Sequence, residues 1–567
     1  MKKNVVVLFL CFIFIGAKAQ YTPIKYRVTF TDKTGSPYTI GQPEQFLSQK
    51  AIDRRTHQGI TIKANDIPVN AWYVDSLRHA GAVVFTTSKW FNCVTIYTLD
   101  TNVIKKIGLF PFVLAIDTLA DALNKKVPRV PKNNNKMNGS KSMDCGLTEA
   151  AFAQTANFYA TSTYNYGLSY TQAHMIGTDF LHEQGFRGQG MTIAVLDAGF
   201  FKVDSNAVFD SLWINNQILG TKDFVTPGGD VFDRSSHGMM VLSIMGGNVP
   251  GSLIGTAPKA NFWLLRSEDA DTEYPVEEDN WVAAAEFADS VGADVINSSL
   301  GYTEFFNPAM DYTYADMNGR TCRSSRGAAT AASKGILVVN SAGNSGNSDW
   351  HFIGAPADAD SILTIGSVNN LEVASDFSSR GPTPDSRIKP SVCAMGEGTF
   401  VSATDGSIMF GNGTSFSSPV MAGSVACLWQ ANPHLTNLEV ISSVMESANR
   451  FMSPDSAYGY GVPNLIAANL ILGGTALYNF DKDSINVFPS PFDDFLTIMF
   501  SSADTATFDI FMYDMEGKMV FSRQAIKRNP GCNYVQLKGL TNLHKGNYLI
   551  KVVSEKNVYA TKLIKLK

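Results

Sequence analysis

The sequence has no excess of positive charge and little charge overall. Lysine and arginine number 46 against 51 aspartates and glutamates, which gives a formal net charge of -5, and charged residues are 17% of the 567. A protein whose main task is to neutralise phosphate groups carries a clustered excess of lysine and arginine. We therefore expect no nucleic acid among its partners.

Cysteine is also sparse, and no two cysteines stand in a C-x-x-C arrangement. Of the 7 cysteines, Cys11 lies in an apolar segment near the N-terminus, and the others are widely and irregularly spaced. This spacing argues against a zinc cluster or a dense disulfide scaffold. Scattered buried thiols and one or two disulfide bridges are both compatible with it.

The N-terminal apolar run is too short to cross a membrane, because a bilayer core takes about 20 apolar residues. Lys2 and Lys3 precede the run, and Ala17-Lys18-Ala19 follows it. A short positive segment, an apolar segment and an A-x-A site form a secretory signal peptide. We predict that residues 1–19 are removed and that the mature form has no transmembrane segment.

Apolar material is plentiful, and it is arranged in several domains. Hydrophobic residues are 45% of the chain, and a chain of this length holds roughly two to four domains. Residues 20–120 mix strand-like alternation, as in YRVTFTDK, with helical patterns, as in AWYVDSLRHAGA, which predicts a small α+β domain. Residues 121–154 are rich in Lys, Asn, Pro and Gly, as is typical of an exposed linker.

Residues 155–475 alternate nearly all-apolar runs with helical stretches, the pattern of a parallel α/β sheet covered by helices on both faces. The apolar runs are TIAVLDAG, ANFWLLRS, ADVINSSLG, ILVVNSAGN and SILTIGSV. Ligands bind such sheets at the carboxyl ends of the strands. Small or polar residues stand at three of these ends: Asp197-Ala198-Gly199, Ser299-Leu300-Gly301 and Ala342-Gly343-Asn344.

Residues 479–567 show period-two alternation in seven segments, from INVFPSPF to KLIKLK. Alternation of this kind between turn-forming residues indicates short strands with one buried face. We predict a small all-β sandwich of about seven strands.

Three polar side chains have the chemistry of a serine nucleophile and its partners. Asp197 ends an apolar strand, His237 opens a predicted helix, and Ser415 precedes another. A serine hydroxyl needs a neutral imidazole to take its proton, and the imidazole needs a carboxylate to orient it. Asn344 supplies an amide for an oxyanion. Each of these residues alone is a weak signal, because strand and helix ends commonly carry such residues.

Together, however, four segments closely resemble the active-site blocks of the subtilases, the subtilisin-like serine proteases: TIAVLDAG, SSHGMMVLSIMGG, VVNSAGN and GNGTSFSSPVMAG. The resemblance implies a subtilisin-like fold in which Asp197 orients His237, His237 acts as base and then acid, and Ser415 attacks the peptide carbonyl. It also implies that Asn344 and the backbone N–H of Ser415 form the oxyanion hole.

The resemblance extends to the segment VINSSLG, where Ser299, Leu300 and Gly301 would form the edge to which an extended substrate adds as a strand. Broad specificity follows from backbone pairing of this kind. Three positions depart from the family pattern and put the hydrogen bonds around the acid and the base in question: Ala198, Met239 and Met395.

The flanking domains also resemble known modules. The N-terminal domain resembles the inhibitory propeptide of subtilases, which implies cleavage between Lys125 and Tyr170, while an adhesion or spacer domain is the alternative. The C-terminal segment resembles the sorting domain of the Gram-negative type IX secretion system, although Pro489-Ser490-Pro491 stands where Pro-Asn-Pro is usual. A carbohydrate-binding or spacer sandwich is the alternative there.

The sequence therefore predicts a secreted or cell-surface serine endopeptidase, made as a zymogen. Its expected partners are protein or peptide substrates with apolar or neutral P1 residues, its own propeptide and the type IX machinery. The chemistry requires no cofactor. Structural calcium is an open expectation, since Glu268 to Asp279 and Asn307 to Asn318 carry oxygen ligands, but no ligands are assigned. A narrow-specificity maturation protease and a non-catalytic adhesion protein on the same fold are the alternatives.

Overall fold

The computed structural model describes residues 25–120 and 163–473, and in the C-terminal region residues 485–488, 492, 496–502, 506–528, 531–554 and 558–565. The predicted signal peptide, the predicted linker 121–154 and the motif Pro489-Ser490-Pro491 lie outside the described residues. The domain boundaries proposed from the sequence stay predictions.

The N-terminal domain is an antiparallel sheet of four strands, in the order β2-β3-β1-β4, with helices between the strands. Its core contains Val28, Leu77 and Ile96, all fully buried. The elements are β1 (Lys25–Phe30), α1 (Gln49–His57), α2 (Ala71–Ala80), β2 (Val83–Ser88), β3 (Cys93–Tyr97), α3 (Thr101–Gly108) and β4 (Val113–Ala120).

The central domain is built on a seven-stranded sheet in the order β13-β12-β11-β10-β5-β9-β6. Every neighbouring pair is parallel, which confirms the predicted fold class. The strands are β5 (Thr192–Asp197), β6 (Ile218–Asp223), β9 (Asn261–Arg266), β10 (Val295–Ser298), β11 (Leu337–Ser341), β12 (Leu363–Val368) and β13 (Val392–Met395). Two short strands, β7 (Asn248–Val249) and β8 (Leu253–Ile254), form a separate pair.

Helices cover both faces of the sheet. Alternate residues of β5 show the two faces: Ile193 and Val195 pack in one apolar cluster, and Ala194 and Leu196 in the other, as the period of two in a strand requires. The helices of this domain are α4 (Tyr170–His174), α5 (Thr178–Glu183), α6 (Asp210–Ile214), α7 (His237–Gly246), α8 (Val276–Val291), α9 (Arg323–Ser333), α10 (Thr414–Ala431), α11 (Asn437–Glu446) and α12 (Leu465–Ile471).

Some elements of this domain carry little sequence signal. The edge strand β6 reads ILGTKD and is mostly exposed or half-buried, so it lacks the apolar run of a strand covered on both faces. Strand β13 has only four residues. An antiparallel hairpin of β14 (Glu397–Ser402) and β15 (Ile408–Asn412) leads into α10.

The C-terminal region contains the seven predicted strands in two antiparallel sheets, β16-β17-β20 and β19-β18-β21-β22. Apolar residues of both sheets, such as Ile498 and Ile550, share one buried cluster, which makes the region a sandwich. The strands are β16 (Ile485–Phe488), β17 (Leu496–Ser502), β18 (Ala506–Asp514), β19 (Met519–Arg528), β20 (Gly531–Leu537), β21 (Gly546–Ser554) and β22 (Val558–Lys565). Within the described residues, every helix is too short or too polar to span a lipid bilayer.

Candidate active site

Asp197 and His237, 40 residues apart in sequence, meet at the carboxyl edge of the sheet. Asp197 is the last residue of β5 and is fully buried, and His237 is the first residue of α7. The ring Nδ1 of His237 lies 2.8 Å from Asp197 Oδ1, which also accepts a hydrogen bond from the backbone N–H of Ala198 at 2.7 Å. Because a carboxylate only accepts, this contact places the imidazole proton on Nδ1 and leaves Nε2 as the basic nitrogen.

Two glycines allow this close approach of helix and strand. Gly199 has a φ of +150°, and a Cβ there would lie 2.5 Å from Arg234 Cβ, in the segment that leads to His237. A Cβ on Gly238 would lie 2.9 Å from Asp197 Cβ and 2.4 Å from the Gly199 carbonyl oxygen. Any side chain at either position would push the imidazole away from the carboxylate.

The protonation of His237 is set by opposing effects. Burial lowers its pKa, but the charge of Asp197 and the hydrogen bond to it outweigh burial, with a further contribution from Glu268, so the pKa is raised above the ordinary value of 6.5. A raised pKa makes the neutral imidazole a stronger base once it has lost its proton.

Ser415 is the second residue of α10 and is 6% exposed. Its Oγ lies 3.5 Å from the Ser299 carbonyl oxygen. His237 Nε2 is buried and has no hydrogen-bond partner within the described residues, so Ser415 and His237 are not hydrogen-bonded here. The imidazole stacks on Phe416, the neighbour of Ser415, with ring centroids 6.3 Å apart. Ser415 is therefore adjacent in sequence to a residue that the imidazole of His237 contacts.

Asn344 follows β11 and is oriented by Thr414, the first residue of α10. Its Oδ1 accepts hydrogen bonds from the backbone N–H of Thr414 at 2.8 Å and from the Thr414 hydroxyl at 2.9 Å. The amide nitrogen lies on the opposite side of the group, 3.5 Å from where a Cβ of Gly413 would be. The first N–H groups of a helix have no partners within it, so α10 adds backbone donors beside this amide.

The predicted substrate edge, Ser299 to Gly301, continues from the end of β10. The Ser299 hydroxyl donates to the backbone carbonyl of Ser415 at 2.9 Å, which ties the edge to α10. A pocket opens between Gly301 and the segment from Ser341 to Gly343. Its wall consists of small residues and the rings of Trp350 and Phe352, and none of its ten lining residues is charged.

The departures from the family pattern have local consequences. With Ala198 beside it, Asp197 Oδ2 is buried and has no hydrogen-bond partner in the described part of the chain. Met239 is fully buried and its sulfur contacts the Asn206 amide at 3.5 Å. Met395 is buried at the end of β13. The Asp197–His237 contact is formed with these residues in place.

A group of acidic side chains outside the triad has the donor set of a calcium site. Carboxylate oxygens of Glu268, Glu273 and Glu277, all buried, lie within 4.8 Å of one another. Oxygen ligands suit Ca²⁺. Protein donors already use some of these oxygens, since the Tyr302 hydroxyl donates to Glu268 at 3.1 Å and backbone N–H groups donate to Glu277. In the loop 307–318, Asp316 takes part in the capping of a short helical turn, and Asp311 accepts a hydrogen bond from the backbone N–H of Phe305 at 2.7 Å.

Sequence reasoning missed the contact between the N-terminal domain and α8. Asp289 of α8 is fully buried, and its carboxylate pairs with Arg54 at 2.6 Å, Arg55 at 2.8 Å and Lys89 at 3.1 Å. Glu286, one turn earlier, accepts hydrogen bonds from the hydroxyl of Ser88 and from two backbone N–H groups of the β2–β3 turn. The available signal was the pair Glu286 and Asp289, one turn apart on a helix that carries three more acidic residues in its first turn.

The structure describes the side chains of four of the cysteines outside the predicted signal peptide, and all four are buried free thiols: Cys93, Cys322, Cys393 and Cys427. Their spacing was compatible with scattered buried thiols or with one or two disulfide bridges, and these four cysteines are scattered buried thiols.

Three family models match the chain in succession. The peptidase S8 propeptide domain of Bacteroidota matches residues 25–137, the subtilase family matches residues 188–461, and the secretion system C-terminal sorting domain matches residues 486–566. Subtilisin E of Bacillus subtilis strain 168 is 29% identical over 319 residues, which are 55% of this chain and 73% of that protein. The subtilisin of Bacillus pumilus is 28% identical over 309 residues, 53% and 98% of the two chains.

Among solved structures, MycP1 from Mycobacterium smegmatis aligns with a TM-score of 0.41 and 23% identity over 55% of this chain and 86% of that one. By the family model that matches residues 188–461 and by its subtilisin relatives, the central domain is of the serine-peptidase class. The chain carries a subtilase-family domain between an S8 propeptide domain and a C-terminal sorting domain, and the sorting domain directs it to the cell exterior or the cell surface.

Proposed function

We propose that this chain is a secreted serine endopeptidase that hydrolyses peptide bonds with Ser415 as nucleophile. The observation that supports it best is the 2.8 Å contact of His237 Nδ1 with the buried Asp197 carboxylate. It leaves Nε2 as the basic nitrogen of a ring that stacks on Phe416, the neighbour of Ser415. The subtilase relatives support the same reaction class.

In the first half of the reaction, His237 Nε2 takes the hydroxyl proton as Ser415 Oγ attacks the carbonyl carbon of the scissile bond. A substrate that displaces the weak contact of Oγ with the Ser299 carbonyl brings the hydroxyl to Nε2, since catalytic hydrogen bonds are often long before substrate binds. Asp197 stabilises the imidazolium that forms. The protonated imidazole then gives its proton to the leaving amine, and the acyl-enzyme remains.

The negative oxygen of the tetrahedral intermediate is stabilised by Asn344 and the backbone N–H of Ser415. Thr414 holds Asn344 through two hydrogen bonds to Oδ1, so the amide is oriented before substrate arrives, which is what electrostatic stabilisation requires. In the second half, His237 takes a proton from water, the hydroxide attacks the acyl-enzyme, and Ser415 recovers its proton.

Specificity is proposed to come from the substrate edge and the neighbouring pocket. A peptide that pairs with Ser299 and Gly301 makes backbone hydrogen bonds, which are independent of sequence. The pocket beside Gly301 has no charged lining residue, so it suits an apolar or neutral P1 side chain. The N-terminal domain is proposed to act as the inhibitor of the zymogen. No cofactor takes part in these steps, and calcium is proposed only as a structural ion without assigned ligands.

The decisive experiment replaces the nucleophile. Ser415→Ala is expected to abolish hydrolysis of casein, self-processing and labelling by a fluorophosphonate, because no other group then forms the acyl-enzyme. Ser424→Ala is the matched control, since it removes a buried hydroxyl from the same helix, where Oγ donates to the Val420 carbonyl. If Ser415→Ala degrades casein and processes itself as well as the wild type, the protease proposal is wrong and the adhesion alternative gains support.

Broad specificity is tested separately with a diverse peptide library. We expect cleavage at many sequences with neutral P1 residues. A single sharp consensus would instead identify a dedicated maturation protease, and mass spectrometry of the secreted form would show both processed ends.

A further inference from the structure

Asn340 is a buried amide side chain near the end of β11, in the central sheet. It belongs to β11, in which every residue is buried, and it is itself 0% exposed. Its neighbours in the chain, Val338 and Val339, are of the type expected in a strand covered on both faces. Its register partners are Ser298 on β10 and Thr364 on β12. The proposed catalytic steps give Asn340 no part.

The amide of Asn340 contacts the segment that follows β10. Its Nδ2 donates to the Leu300 carbonyl at 3.2 Å and to the carbonyl of Ser341 at 2.8 Å. Two carbonyl oxygens demand a donor, so the orientation of the amide follows from its surroundings. Its Oδ1 is buried and has no hydrogen-bond partner in the described residues. A buried oxygen without a hydrogen bond is unfavourable, so an apolar side chain at position 340 would avoid this cost. The two hydrogen bonds that Nδ2 donates are therefore the reason for an amide at this position.

The bond to Leu300 fixes the direction of the substrate edge. Successive carbonyl groups of an extended chain point to opposite sides. The Leu300 carbonyl faces inward to Asn340, and the carbonyl of Ser299 faces Ser415 Oγ. Ser299 and Gly301 therefore present their backbone groups to the side where a peptide adds.

The far end of the segment has a separate anchor. The backbone of Tyr302 exchanges two hydrogen bonds with that of Ala355, at 2.7 and 3.3 Å. Loss of the Asn340 amide would thus free the middle of the segment without detaching it from the sheet.

We propose that Asn340 is a positioning residue for extended substrates: it holds the Leu300 carbonyl inward so that Ser299 and Gly301 pair with the peptide. This inference rests on the proposed endopeptidase function. Asn340 touches neither the nucleophile nor the base, so it acts on peptide binding rather than on the chemistry at the scissile bond.

The test compares a long and a minimal substrate. Asn340→Leu removes the donor and keeps the branched shape of the side chain, and Asn340→Ser has a smaller side chain that also fails to reach Leu300. The chain is expressed at full length and allowed to mature, and its active sites are titrated with a fluorophosphonate. The substrates are a peptide with several residues before the scissile bond and a single-residue ester.

For both variants we expect KM for the long peptide to rise about 3- to 10-fold, the effect of losing one hydrogen bond in aligning the edge, with kcat unchanged. The constants for the single-residue ester should stay within about twofold. Thr364→Val is the matched control. It removes a hydroxyl that is also fully buried from the register partner of Asn340, where Oγ1 donates to the Ala357 carbonyl, and it should leave the long-to-short ratio unchanged.

The inference is overturned if the Asn340 variants have a lower melting temperature while the ratio of KM for the long peptide to KM for the ester stays at the wild-type value. That outcome would indicate a purely structural role. A change of equal size for both substrates overturns it as well. Failure of the proposed function gives a different result, because the wild type would then not react with the fluorophosphonate. If Asn340→Leu does not accumulate, the ratio for Asn340→Ser decides.

Discussion

At the scale of single residues, the chemistry depends on how His237 is held. The ring lies between a buried carboxylate and the first turn of α10, and its pKa is raised above 6.5 because the charge of Asp197 outweighs burial. The base works only when neutral. Activity should therefore be absent below that pKa and appear as the pH rises through it.

We predict that kcat/KM of the mature enzyme rises with pH with a midpoint above 6.5. Asp197→Asn should move the midpoint to lower pH, because the charge that raises the pKa is removed, and should reduce kcat by about 10⁴ through the wrong tautomer, as in other triads. A pH–rate profile measured between pH 5 and 10 with a fluorogenic peptide checks both effects. Equal midpoints in the two proteins would contradict this assignment of the base.

At the scale of elements, α8 is the docking helix for the N-terminal domain. Arg54 and Arg55 of α1 and Lys89 after β2 all pair with Asp289, whose pKa is lowered although burial opposes it, because the three cations stabilise the charge. A buried charge of this kind is balanced only while all partners are present. The processed N-terminal fragment should therefore stay bound as long as this cluster is intact.

We predict that Asp289→Ala weakens that association by about 3 to 5 kcal/mol, or more than 10² in the dissociation constant, because Arg54 and Lys89 lose this buried counter-charge and Arg55 keeps only Asp66. The measurement is the fraction of N-terminal fragment that co-elutes with the central domain after processing. Asp75→Ala is the control, since it breaks the Arg78–Asp75 pair, which is 55% exposed on both sides, and should leave co-elution unchanged. Equal retention in the two variants would show that other contacts, such as the Arg27–Asp279 and Lys50–Asp294 pairs, hold the fragment without this cluster.

At the scale of the whole molecule, three domains follow one another: a propeptide domain, a subtilase-family domain and a sorting domain. The sandwich of β16 to β22 has its own apolar core, which contains Phe508, Ile550 and Leu563. A domain with its own core is separable from its neighbours, and this one matches a sorting domain.

We predict that deletion of residues 479–567 leaves the protein inside the cell envelope without loss of specific activity in an extract, because the triad and its supporting sheet lie in the central domain. The location is checked by immunoblotting of periplasm, cell surface and medium in a host with a type IX secretion system. A passenger protein fused to residues 479–567 should gain export. Truncated protein in the medium at the wild-type level would disprove this role of the sandwich.

Much of the architecture could be predicted from the sequence because the signals are local. The nearly all-apolar runs around β5, β10, β11 and β12 are consequences of burial on both faces, and the alternation in the C-terminal region follows from a single buried face. The strands that lacked such a signal were β6, at the edge of the sheet, and β13, with four residues. The residues of the candidate site could be found because each occupies a strand or helix end.

What the sequence determined by itself, then, was the order of the elements, the class of the fold and the residue types at the carboxyl edge. Apart from the contact of Asp197 with His237, which the resemblance to the subtilases implied, only the tertiary structure decided which polar groups meet. Examples are Asn340 with the Leu300 carbonyl, and Asp289 with Arg54, which is 235 residues away. The physical reason is that burial and periodicity act over a few neighbouring residues, whereas a hydrogen bond or ion pair depends on distances that the packing of distant segments sets. An acidic residue in a helix therefore has the same sequence signature whether water or three buried cations surround it.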